Sequence, residues 1–216
     1  MMKGDAIYGG ALIAGALAGM VTMVLHPTGH QLLADVQHMA PLGVAVHALA
    51  LAALPVSFFG AIGLARVLGT SGNAALAALV AFGMAQIAVM TAAVASGLLA
   101  PALAAQLVST TGAEHDVAAA LFHYTGAINQ AFAKVFVIAS SAAILLWSAA
   151  ILAHGGLHRA AGVLGVIVGA LALLAVVIGH LRLDVHGFGA VVIAQGIWMI
   201  TVGVLLARSP APREAA

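Results

Sequence analysis

The sequence predicts an all-α integral membrane protein, a polytopic bundle of six transmembrane helices forming a single domain over residues 1–216. Three observations carry this reading. Hydrophobic residues make up 64% of the chain and charged residues only 6%, where an average soluble domain carries roughly 25% charge. The mean hydropathy is +1.18. The apolar residues also fall into runs of about 20 or more, the length a helix needs to cross a hydrocarbon core. A water-soluble surface cannot be assembled from such a composition, so the apolar surplus faces lipid.

The first run, Ile7–Leu25, follows Lys3 and is long for a signal-peptide core, with no clear cleavage box, so it reads as a retained span. Pro41–Arg66 and Ala74–Ala100 are the second and third. The stretch from Pro101 to Ala131 exceeds a tight connection and reads as a small outer cap, about residues 101–131. It holds a short helix after Pro101, a polar turn at Ser109-Thr110-Thr111-Gly112, and a helix from Ala113 that continues into the fourth span, Phe132–Ala153. The turn residues are expected to cap that helix, and Glu114 and Asp116 suit its positive dipole end. Leu157–Gly179 and His186–Arg208 complete the six.

Lys3, Arg66, Arg159, Arg208 and Arg213 share one side of this arrangement, against Arg182 and Lys134 on the other. Positive residues near helix ends resist translocation, which predicts cytoplasmic termini and a multi-pass protein of a bacterial inner membrane. Gly15-x-x-x-Gly19 and Gly165-x-x-x-Gly169 bring helix backbones close. Contacts within one chain are the first expectation for both, with a homo-oligomer or a larger membrane complex as the partner class besides the lipid bilayer.

A net charge of +1 offers no basic field for nucleic acid. The absence of cysteine removes disulfides, thiolate metal sites, iron–sulfur clusters and dithiol redox chemistry. Any metal ligand is therefore histidine, carboxylate or carbonyl.

Histidine is distributed unevenly. His26, His30, His38, His47, His115, His123, His180 and His186 map to the outer half, with only His154 and His158 at the other end. His47, about two turns inside the second span, and His123, in Leu121-Phe122-His123-Tyr124, lead as cofactor ligands, because ionisable residues inside a membrane usually face the bundle interior. His26, His180 and His186 extend the metal-ligand set. Imidazole suits zinc, copper, iron and haem, so a transition metal (Zn, Cu or Fe) or haem is the expected cofactor, serving redox or hydrolytic chemistry.

Catalytic roles beside it fall to Asp116, Asp184 and Lys134. Asp116, His123, Ala127, Gln130 and Lys134 trace one stripe on a continuous helix, which should turn away from lipid. Lys134 then meets Asp184 or an anionic ligand, or it snorkels at the outer interface, because the apolar run from Val135 to Ala153 completes the span without it. In His180-Leu181-Arg182-Leu183-Asp184-Val185-His186, an extended chain aligns the polar residues on one face, and a helix pairs His180 with Asp184 and Arg182 with His186. Either way Asp184 can orient a neighbouring imidazole, or simply pair with Arg182. His26 and His30 have i, i+4 spacing interrupted by Pro27 and Gly29, and His154 and His158 flank a Gly-Gly loop. Gln86 and Gln195 are expected to bond between helices. No G-x-S-x-G nucleophile segment is present. The other function classes are a proton- or cation-coupled transporter, and an accessory membrane subunit without a cofactor.

Overall fold

Lipid offers no hydrogen bonds, so a chain crossing it must satisfy its backbone within each segment. The computed structural model describes residues 3–27, 33–69, 73–179 and 183–208, and these form helices and no strand. They are α1 (Lys3–Leu25), α2 (Leu33–Val67), α3 (Asn73–Val94), a π turn (Ala95–Leu99), α4 (Ala100–Ser109), α5 (Ala113–His154), α6 (Arg159–Val177) and α7 (Val185–Arg208). Six stretches are long and apolar enough to cross a membrane: Asp5–Leu25, His38–Val67, Asn73–Ser109, Gly112–His154, Arg159–Val177 and Val185–Arg208.

Three local details depart from the sequence reading. α2 begins at Leu33 and passes through both Pro41 and Pro55, where the sequence places a start at Pro41. α3 is carried by the π turn into α4 without a break, so the third apolar stretch continues beyond Ala100. The Ser109 and Thr110 hydroxyls do not cap the next helix: each donates to the Gln106 carbonyl at 3.0 Å and so closes α4. The residue at the N-cap of α5 is Gly112, whose φ of 62° suits glycine, and it supplies no side-chain cap. Glu114 and Asp116 do lie in the first turn of α5, and this helix runs unbroken to His154.

The chain reverses after α5 through Gly155 and Gly156, both at positive φ, and His158 then caps α6 by accepting the Ala160 N–H at 3.2 Å. His154 and His158 therefore flank a connection.

Helix pairing places the charged ends. α1 packs on α2 and α7, α3 on α5, and α6 on α5. Arg66, ending α2, donates to the Tyr8 hydroxyl near the start of α1 at 2.9 Å. Gly156 lies 3.5 Å from Leu68 by its missing Cβ position. The start of α1, the end of α2 and the α5–α6 connection thus share one end of the bundle, and Lys3, Arg66, Arg159 and Arg208 sit on helix ends of that polarity.

The larger buried apolar cluster lies in this half. Trp147 and Trp198 stack with centroids 6.2 Å apart, and around them Leu12, Leu64, Ile144, Ile151, Val202 and Leu206 are fully buried. Trp198 Nε1 donates to the Ala161 carbonyl at 2.9 Å. Small residues make the crossings possible: Gly15 seats against Ser57, Gly165 against Ser148 and Trp198, and Gly169 against Leu145. The motif glycines Gly15, Gly165 and Gly169 are therefore used inside one chain.

Candidate functional site

Toward the other end the helices diverge around a cavity of about 1010 Å³. From His186 to Met199, both on its wall, α7 rises about 20 Å at the helical spacing per residue. His123, Lys134, Asp184 and His186 line the cavity and are exposed, which makes them its rim. Gly15, Ser57, Phe82, Gln195 and Met199 form the deep end, where no described residue is charged. The chamber is titratable at its mouth, apolar along much of its wall, and polar but neutral at its floor.

The most ordered polar cluster on the wall is centred on His47. Its Nδ1 lies 2.7 Å from the Gly43 carbonyl oxygen, an acceptor only, so Nδ1 carries a proton. In the neutral ring Nε2 is then an acceptor, and the Ser96 Oγ stands 3.0 Å from it. The same hydroxyl lies 2.9 Å from the Ala92 carbonyl of its own helix. One hydroxyl proton thus has two acceptors within reach.

The π turn provides this meeting. Ala100 N–H reaches back to the Ala95 carbonyl, the wider spacing of a π turn, which inserts a residue into the helix and recurs at functional sites. The turn presents Ser96 to the imidazole, and Gly97, without a Cβ, lets the His47 ring rest on the backbone where any side chain would overlap it. His26 completes the cluster edge-on, its ring centroid 5.0 Å from that of His47, with its Nδ1 on the Pro27 carbonyl at 3.0 Å.

Of the residues singled out by sequence, His26, His47, His123, Lys134, Asp184 and His186 all border the chamber. His180, Arg182 and His30 lie outside the described residues. Among the described residues the close imidazole pair is His26 with His47, and the His123 ring packs against Phe122 at 5.9 Å. Among the described residues no group of three His, Asp or Glu side chains is arranged to hold a metal ion.

Asp116 is 87% exposed, pairs loosely with His115 at 3.9 Å, and is not part of the chamber wall. Of the stripe on α5, His123, Gln130 and Lys134 border the chamber, whereas Ala127 is exposed and does not; Gln130 Nε2 donates to the Leu183 carbonyl at 3.0 Å. Lys134 has no carboxylate within ion-pair distance among the described residues. Gln195 bonds Ser141 across helices at 3.2 Å, whereas Gln86, on the chamber wall, has its Oε1 buried without a partner.

Asp184 has a structural task. Its Oδ1 accepts the Gly187 N–H at 2.8 Å, capping α7. Asp184→Ala is expected to lose about 1 kcal/mol of stability, read as a lower unfolding midpoint in detergent. Asp184→Asn, which caps as well, should retain it, and an equal loss in both variants would assign the carboxylate another role.

The residues that sequence reasoning missed are Ser96 and Gly97. Their significance depends on His47, which lies 49 residues away, and no local pattern announces the π turn that presents them. Comparison with family models, curated proteins and solved structures finds no match to this chain.

Proposed function

We propose that this protein sits in a cell membrane with its Lys- and Arg-bearing end and both termini in the cytoplasm, and that it binds an amphipathic organic molecule in the histidine-rimmed chamber of its outer half. The distribution of basic residues supports the orientation. The observation that carries the binding reading is the chamber itself. A volume of about 1010 Å³ stands at the upper end of the roughly 300–1,000 Å³ usual for small-molecule sites. Close-packed interiors leave few voids larger than a water molecule. Apolar walls suit a hydrocarbon or ring system, and separated polar groups at rim and floor suit a molecule with polar functions at both ends.

The same geometry ranks the cofactors expected from sequence. A bare zinc ion takes three or four protein ligands, which the described residues do not assemble. Haem brings four nitrogens of its own and takes one or two axial side chains, and His26, committed through Nδ1 alone among the described residues, has Nε2 to offer. Within the metal and haem expectation, haem is the better supported member, because it is itself an organic molecule of the class the chamber fits.

The test is native mass spectrometry with metal analysis and a visible spectrum on protein purified in detergent, repeated after incubation with haemin. A co-purifying organic mass, or a Soret band that His26→Ala loses, is the expected result. Ala53→Trp, which fills part of the chamber wall, should reduce occupancy in either case. An empty protein that takes up neither haemin nor a long-chain fluorescent amphiphile overturns the reading and leaves the accessory-subunit alternative.

A further inference from the structure

We propose that Ser96 and His47 form a nucleophile–base dyad, and that the chamber's occupant is a long-chain carboxylic ester or thioester that the dyad cleaves. The inference rests on the organic-ligand reading above and makes the ligand a substrate. Three parts of the geometry carry it. The Ser96 Oγ is 3.0 Å from His47 Nε2, within the reach that base activation of a serine requires. The base is oriented by a third group, since the Gly43 carbonyl at 2.7 Å holds the proton on Nδ1 and leaves Nε2 basic. Ser96, His47 and Gly43 all line the chamber, so a bound carbonyl group has access to the hydroxyl. The π turn and the side-chain-free Gly97 are what allow ring and hydroxyl to meet.

The chemistry balances with water as the only co-reactant. As Ser96 Oγ bonds to the carbonyl carbon, its proton passes to His47 Nε2. The bond to the alcohol or thiol oxygen or sulfur breaks, and that leaving atom takes the proton from His47. Water then attacks the acyl-serine, gives its proton to His47, and the carboxylic acid leaves as Ser96 Oγ recovers that proton. The apolar wall selects a hydrocarbon acyl chain, and the uncharged floor disfavours an ionic group at its far end.

Two probes of equal chain length test the dyad on the full chain in detergent or native membranes: an alkyl fluorophosphonate, which traps an activated serine, and an alkyl diazirine, which reports occupancy on illumination. The expected result is a fluorophosphonate adduct mapped by mass spectrometry to Ser96. It should be absent in Ser96→Ala and form about 100-fold or more slowly in His47→Gln, which offers an acceptor and no base. Both variants should still crosslink the diazirine in the chamber and elute as the parent does in size exclusion. Ser109→Ala, remote from the chamber, should label like the parent.

Diazirine crosslinking without a Ser96 adduct in the parent protein overturns the dyad and keeps the chamber. Failure of both probes in protein free of haem overturns both readings. A haem filling the chamber would also overturn the dyad, because the acyl chain would have no place.

Discussion

Trp198→Ala is expected to lower stability by about 3–5 kcal/mol, the range for truncating a large buried aromatic. The residue is 1% exposed, stacks on Trp147, and ties α7 to α6 through its bond to the Ala161 carbonyl. Lipid supplies little drive for one apolar surface to seek another, so helices in a membrane hold together by close contact and interhelical hydrogen bonds. Trp198 provides both. Its removal also uncovers Gly165, which seats against it and has no side chain to fill the space. The loss should appear as a clearly lower unfolding midpoint in detergent. Trp198→Phe should fall between parent and alanine variant, since it keeps ring contacts and loses the N–H donor. A midpoint unchanged in the alanine variant would contradict the packing described for this half.

The second large effect is expected at Gly97. A Cβ there would overlap the Cβ, Cγ and Cδ2 atoms of His47, the rigid part of that side chain rather than a mobile tip. Gly97→Ala should therefore push α2 away from the π turn at about 1–3 kcal/mol, the usual penalty of overpacking. It should also separate His47 Nε2 from Ser96 and suppress Ser96 labelling, although neither reacting residue has been replaced. Differential scanning measurements and the fluorophosphonate assay on the same sample give the two readouts. Full labelling with parental stability would mean that the ring does not rest where the geometry puts it.

What the sequence reveals and what it conceals follow from the range of each interaction. Spans are legible because lipid exposure is a property of composition within one segment, and the run from Ala113 into the fourth span is legible because a polar turn precedes it and no breaker follows. The start of α2 is less so. Pro41 looks like a first-turn proline, yet in a membrane helix the backbone groups that proline leaves unpaired can be satisfied by neighbouring elements, and the helix passes through it. Asp184 shows a related limit, since its use of Oδ1 to cap α7 is not announced by the spacing that suggests an orienter for histidine. Histidines on the chamber are legible from depth alone. Their pairing is not, because whether His47 meets His26 or His123 depends on how α1, α2 and α5 are rotated about their axes. Ser96 is invisible for the same reason, compounded by a π turn whose extra residue shifts every helical face beyond it.

α5 contains 42 residues in one unbroken helix, about 63 Å at the rise per residue. His123 and Lys134 at the chamber rim and Trp147 in the opposite core are thus points on a single continuous helix. A molecule that tilts this helix by displacing His123 is expected to move Trp147 against Trp198. These are the only two tryptophans in the chain, so a ligand that displaces His123 is expected to change the protein's own fluorescence, although neither indole lines the chamber.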